Sequence, residues 1–308
     1  MPPLSERVDL ATVDPSSTPG WGGGGRDPGG RDPGGKDPSG RTSSGKDVGR
    51  ADLAALGPDL ADLQERLYAD GRSGGTRRVV LVLQAMDSGG KDGAVKHVVG
   101  LVNPAGVRIS SFGPPTEQER AHPYLWRVEQ ALPTAGMLGV FNRSHYEDVL
   151  VVRVHDLVPR EQWQKRYAEI NAWEAQLAAT GTVFVKVFLH ISYDEQRRRL
   201  LTRLDDPTKL WKVSAADLAE RECWPAYQQA YEAVLERCST VVAPWYLVPA
   251  DRKWYRDWAL AHLLLETLQA LNLQWPARPD LDLAALRTGL LAGPASAGAA
   301  GGQHRGRG

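Results

Sequence analysis

Residues 78–93 read Arg78-Val79-Val80-Leu81-Val82-Leu83-Gln84-Ala85-Met86-Asp87-Ser88-Gly89-Gly90-Lys91-Asp92-Gly93. The run Arg78 to Gln84 is short and nearly continuously apolar, as expected for a strand buried on both faces of a parallel sheet. A Gly-containing turn follows, and then a helix expected from Gly90 to about Leu101. The turn resembles the phosphate loop G-x-x-x-x-G-K-[ST], which needs this strand-before, helix-after context. Small residues let successive backbone N–H groups converge on one phosphate. The helix start adds partial positive charge and unpaired donors, and Lys91 brings a mobile full charge. Ser88, Gly89, Gly90, Lys91, Asp92 and Gly93 are therefore the candidate phosphate-binding residues. Two positions depart from the pattern: Ala85 stands at the first glycine and Asp92 at the Ser/Thr. The hydroxyl that usually meets Mg²⁺ is missing, and the Asp87 carboxylate, a hard oxygen ligand, can take its place. The plain alternative is a Gly-rich turn capped by Ser88 or Asp87.

Outward from this stretch, strands and helices alternate. Further strands are expected at Val107–Ser111, Met137–Phe141, Thr182–Ile191 and Tyr246–Pro249. Helices are expected at Leu53–Tyr68, Glu117–Leu132, Arg143–Val154, Pro159–Ala179, Asp194–Leu204, Ala215–Arg237 (one long or two short) and Trp254–Leu271. This alternation predicts an α/β fold with a parallel sheet and right-handed crossovers.

The chain has 308 residues, long enough for a sizeable core. Its 37 Lys and Arg balance 37 Asp and Glu, which argues against a generally basic nucleic-acid binder. No apolar run is long enough to span a bilayer, and no secretory leader is visible, so neither membrane nor nucleic acid is an expected partner. Cys223 and Cys238 suit buried thiols and a cytoplasmic location rather than a disulfide framework. Residues 1–50 hold 12 of the 32 glycines and 7 of the 21 prolines, with a repeat of the form Arg26-Asp27-Pro28-Gly29-Gly30. That composition predicts a disordered tail over 1–50. A globular domain is expected over 51–275, and a mostly loose tail over 276–308.

Several strings accompany the loop in order. They include Lys96-His97-Val98, Val102-Asn103-Pro104, Leu125-Trp126-Arg127, Phe141-Asn142-Arg143-Ser144-His145-Tyr146-Glu147-Asp148, Arg203-Leu204-Asp205-Asp206-Pro207-Thr208-Lys209-Leu210-Trp211-Lys212 and Ala243-Pro244-Trp245. Together they resemble the polyphosphate kinase 2 family over about Ala51 to Leu271. The resemblance implies a P-loop kinase-like, three-layer α/β/α fold with a helical lid, here about residues 199–225. It implies Mg²⁺-dependent phosphate transfer between inorganic polyphosphate and AMP, ADP or ATP, and a homo-oligomer. It implies functional roles for Asp87, Lys91, Arg143 and Arg203. Ala85, Asn142 and Glu147 resemble the subgroup that accepts both AMP and ADP. The competing functions are an ATP-dependent nucleoside or nucleotide kinase of the same fold and a non-catalytic polyanion binder.

The remaining candidates follow from position and charge. Asn142 and Arg143 directly follow a predicted strand, at the end where open α/β sheets bind ligands. Asn142 can offer an oxygen to a metal, and Arg143 can fork onto phosphate. Glu147 is either an acceptor-site residue or the partner of Arg143 in a helical i,i+4 pair. Segment 197–212 holds six cations and two anions, so Arg203, Lys209 and Lys212 are candidate polyphosphate contacts. Lys96 is a candidate extension of that track, and Arg127 a candidate contact to the acceptor nucleotide.

Overall fold

The computed structural model describes residues 3–4, 7–22, 35–36, 42–43 and 45–292. Most of the pentad repeat, and residues 293–308 of the expected C-terminal tail, lie outside the described residues.

Five strands form one sheet: β1 (Arg78–Ala85), β2 (Val107–Ser111), β3 (Leu138–Asn142), β4 (Thr182–His190) and β5 (Trp245–Pro249). Their order is β2-β3-β1-β4-β5, and every neighbouring pair is parallel. The helices are α1 (Gly45–Arg72), α2 (Lys91–His97), α3 (Glu117–Arg120), α4 (Trp126–Ala131), α5 (Val151–Val154), α6 (Arg160–Ala179), α7 (Tyr193–Leu204), α8 (Ala216–Glu222), α9 (Trp224–Cys238), α10 (Lys253–Ala270) and α11 (Leu283–Ala292). The fold is the expected three-layer α/β arrangement.

Strand β1 is central, and all of it but Arg78 is buried. This matches its unbroken apolar run, because a parallel strand has no solvent face. From β1 the chain crosses to β2, returns to β3, and then crosses β1 again to reach β4. The loops after β1 and β3 therefore leave in opposite directions, which opens a crevice at the carboxyl ends of those two strands.

Three expectations need correction. The helix expected over Glu117–Leu132 is two pieces, α3 and α4, separated at Pro123, whose missing N–H and ring interrupt the ladder. The helix expected from Arg143 starts later, as a 3₁₀ turn at His145–Val149 followed by α5, because Arg143 is left-handed at φ +62°. The pair Arg143 and Glu147 is thus not an i,i+4 helical pair.

The third concerns the amino-terminal segment, expected to be disordered throughout. Residues 7–22 pack on the domain instead. Leu10 is buried, and its N–H donates to the Glu232 carboxylate at 3.0 Å. The Tyr255 hydroxyl donates to Pro19 O at 2.6 Å, and Trp21 meets Trp254 and Trp258 edge-on, each at 5.1 Å between ring centres. Averaging over fifty residues hid the difference. Leu10, Val13 and Trp21 precede the repeat and supply apolar surface that the repeat lacks. Helix α1 likewise begins at Gly45, not Leu53, and packs on α10, where Gly49 leaves room for the Trp254 ring.

The chain divides into two compact units at Trp275/Pro276. The second contains α11, a helix inside the stretch expected to be loose. Among the described residues, no helix is long and apolar enough to cross a membrane.

Candidate active site

The loop after β1 carries two residues with positive φ, Ser88 at +62° and Gly90 at +101°. The glycine tolerates this readily, whereas the serine is strained there. No hydrogen-bond acceptor among the described residues meets the backbone N–H of Ser88, Gly90 or Lys91. The Ser88 hydroxyl oxygen is also buried without a partner. These donors without a partner lie on the loop where the sequence reading expects phosphate-binding residues. Helix α2, which follows, has only seven residues and no side-chain cap.

Lys91 is buried, and its ammonium donates to Ala85 O at 3.0 Å. Burial pulls Lys91 below its ordinary range, and Arg143 adds to this; Asp87, Glu147 and Asp92 pull the other way. Arg143 leaves the end of β3 and donates to Asp87 at 2.9 Å. Although burial opposes it, the carboxylates of Glu147 and Asp87 hold Arg143 above its usual range. Burial pushes the Glu147 carboxyl up, against Arg143, Lys91 and a hydrogen bond from Gln84. Asp87, Lys91, Arg143 and Glu147 thus form one electrostatically coupled group at the crevice.

A cavity of about 990 Å³ opens beside this group. Arg143, Glu147, Asp148, Arg127 and Arg166 are among the residues that line it. Arg127 donates to Gly113 O at 2.8 Å and lies over the Phe112 ring. Arg166 donates to Asp148 at 2.9 Å. Burial pushes the Asp148 carboxyl up to about 6, while Arg166 and Arg127 pull it back.

On the other side, Asp92 is exposed and bonded twice. It accepts from Lys212 at 2.8 Å and from the Asn142 amide at 2.9 Å. The Lys212 bond, chiefly, holds its carboxyl below the usual range against partial burial, with Asn142 adding. The Asp92 side chain is therefore a tether between lid and crevice, a role not expected of it. The Asn142 amide nitrogen is engaged there, which leaves its oxygen as the group a metal or water can meet. Arg203 sits on α7 with no hydrogen-bond or ion-pair partner among the described residues, and Lys96 is likewise unpartnered and exposed. Lys209 bonds to Asp206, three residues away, rather than reaching the crevice.

Sequence reasoning missed the residues behind the loop. Gln196 donates to Asp87 O at 2.9 Å, Arg199 to Ser88 O at 3.0 Å, and Arg256 to Gly90 O at 3.0 Å. Arg256 and Asp257 interrupt the otherwise apolar buried run 254–261, which was the one available signal for a buried polar contact.

The profile of the family described as polyphosphate kinase 2 matches residues 43–276. The chain belongs to the polyphosphate kinase 2 family. It is 56% identical over 224 residues to an AMP/ADP-polyphosphate phosphotransferase of Meiothermus ruber, covering 73% of this chain and 82% of that one. It is 45% identical over 229 residues to an ADP-polyphosphate phosphotransferase of Rhodopseudomonas palustris, covering 70% and 78%. The crystal structure of polyphosphate kinase 2 from Arthrobacter aurescens superposes with a TM-score of 0.83 at 46% identity, over 94% of this chain and 95% of that one. The chain is an enzyme of this kind, a phosphotransferase, and the family assignment sets the crevice in a kinase rather than a passive anion binder.

Proposed function

We propose that this chain moves a phosphoryl group between the end of an inorganic polyphosphate and the terminal phosphate of AMP or ADP, giving ADP and ATP. The observation that carries this reading is the coupled group Asp87, Lys91, Arg143 and Glu147. It lies between an anion cradle with a cationic lid on one side and a nucleotide-sized cavity on the other. An acceptor in the cavity would present its phosphate to Arg143, with Arg127 along the wall. Polyphosphate would lie over Ser88, Gly89, Gly90, Lys91 and Gly93, under Arg203 and Lys212.

The transfer needs no covalent intermediate. An oxygen of the acceptor phosphate attacks the terminal phosphorus of polyphosphate in line. The bridging P–O bond breaks, and the chain leaves one phosphate shorter with that oxygen. The attacking oxygen is already ionised, so no general base is required. Catalysis then rests on positioning and on neutralising equatorial charge, which Lys91 and Arg143 supply from fixed positions and Arg203 from the lid.

The residues fit a divalent cation, and we assign Mg²⁺. Among the described residues no group of three or more acidic, His or Cys side chains gathers. Mg²⁺ typically takes one or two carboxylates plus phosphates and waters. Asp87 offers the carboxylate, Asn142 an amide oxygen and Ser88 an unpartnered hydroxyl. Such an ion, held by these residues, would supply charge neutralisation to the reacting phosphates. Neither cysteine is in a disulfide, which suits work in a reducing cytoplasm.

The test is purified protein with Mg²⁺, long-chain polyphosphate and either AMP or ADP, with products separated by chromatography. ATP from ADP, and ADP or ATP from AMP, are expected. Turnover only when ATP is offered with a nucleoside or monophosphate would overturn the reading.

A further inference from the structure

The phosphate loop is held from behind by side chains that touch only its carbonyl oxygens. In a trans peptide the C=O of one residue and the N–H of the next point to opposite sides. All peptides here are trans. The bond from Gln196 to Asp87 O therefore turns the Ser88 N–H the other way, toward the cradle. The bond from Arg256 to Gly90 O does the same for the Lys91 N–H. Arg199, on Ser88 O, fixes the peptide whose N–H closes the turn onto Met86 O at 2.9 Å.

Gln196 differs from the two arginines in what holds it. Arg199 and Arg256 are anchored by Glu195 and Asp257, their near neighbours in sequence. Gln196 instead accepts from Arg221 at 2.7 Å. Arg221 lies on α8, the return leg of the lid, and is fixed there by a bond to Tyr193 O at 3.1 Å and by lying over the Tyr193 ring at 3.7 Å. Gln196 and Arg221 are both buried. An amide is the group for this place, since it accepts from Arg221 and donates to a carbonyl at once.

We propose that Gln196 is a positioning residue for phosphate transfer, and that the Arg221–Gln196–Asp87 chain links the return leg of the lid to the backbone of the phosphate loop. The lid then sets more than its own cations. Its seating on α7 determines whether the Ser88 N–H is aimed at the phosphate. The inference rests on the phosphotransferase reading above. Gln196 meets the peptide whose N–H serves the donor phosphate and does not line the acceptor cavity. Its loss should fall on kcat and on the polyphosphate KM, leaving the nucleotide KM alone.

Three variants test it. Gln196→Glu keeps an acceptor for Arg221 but cannot donate to Asp87 O when ionised. Gln196→Met removes both bonds without adding charge. Lys91→Ala reports on the underlying reading. Thermal midpoints, kcat and both KM values are measured with polyphosphate and ADP. Both Gln196 variants should fold and lose about tenfold or more in kcat/KM for polyphosphate, with the nucleotide KM within twofold of the parent. Agreement between Glu and Met would assign the loss to the missing donor rather than to charge. If either folded variant keeps its polyphosphate kcat/KM within twofold while Lys91→Ala is inactive, the positioning role is wrong and the phosphotransferase reading stands. If Lys91→Ala is active, the reading itself fails. If neither Gln196 variant folds, Gln196 is structural and the proposal is overturned.

Discussion

The phosphate loop and the lid segment 205–215 meet at Asp92, and they are held in unlike ways. The loop follows a central strand buried over all but its first residue, and its carbonyls are pinned by Gln196, Arg199, Arg256 and Lys91. The lid segment is mostly exposed, with Trp211 at 78% and Leu210 at 48% of full exposure. Its 3₁₀ turn is held by short-range bonds, from Thr208 N–H to the Asp206 carboxylate and from the Trp211 indole to Thr208 O. Among the described residues, apart from bonds to residues within four positions along the chain, it is hydrogen-bonded to the domain through Lys212 on Asp92. The difference assigns roles. A transition state that mainly needs charge in fixed places requires a rigid cradle. A long polymer that must enter and leave requires a cover that opens at small cost.

The largest test of this contrast is in the cradle. Lys91→Ala or Asp87→Ala should lower kcat by about a thousandfold or more, since each removes charge from a fixed place in the crevice. Steady-state rates with polyphosphate and ADP check it, and near-normal activity in Lys91→Ala would dissolve the distinction between cradle and lid.

Effects in the lid should be smaller and confined to the polymer. Arg203→Ala removes an unpartnered guanidinium, and the polyphosphate KM should rise about ten- to a hundredfold while the nucleotide KM holds. Lys212→Met breaks an exposed pair worth little in water, so its effect should stay within a few-fold and shrink further with added salt. A nucleotide KM that moves with Arg203 would place the lid over the cavity as well.

The smallest effect concerns stability. Asp148 has its carboxyl raised from an ordinary 3.8 to about 6 by burial, against Arg166 and Arg127. A raised acid binds its proton more tightly in the folded state. Its contribution is therefore fully present below pH 3.8 and is lost as the pH climbs through about 6. Asp148→Asn should flatten the fall of the thermal midpoint over that window. The parent and variant should converge near pH 4 and separate toward pH 7. Parallel curves would mean that Asp148 pairs with Arg166 without net cost.

Much of the fold was legible along the chain. Apolar runs of strand length placed β1, β3, β4 and β5 to within a residue, because a strand buried on both faces has few ways to be written. The edge strand β2, with none of its residues fully buried, was legible from Val107 and Ile109. The misreadings have local causes. Pro123 divides a helix, Arg143 takes a left-handed backbone, and Leu10 and Trp21 anchor a segment that looked uniformly low in complexity. In the site, the loop residues and Arg143 were legible because a phosphate cradle needs small residues and a cation after a strand. Gln196, Arg221 and Arg256 were not, because a polar side chain bonded to a distant carbonyl leaves no spacing rule behind.

By itself the sequence determined the alternation of strand and helix, the phosphate loop and the cationic stretch around Arg203, all of which depend on neighbours within a few residues. Only the tertiary structure decided that Asp92 ties the lid to the crevice, that Asp87 and Arg143 bond across two strands, and that Arg221 reaches the loop through Gln196. Those contacts join residues 25 to 120 positions apart. Their partners are chosen by strand order and packing, and no local pattern of residues encodes that choice.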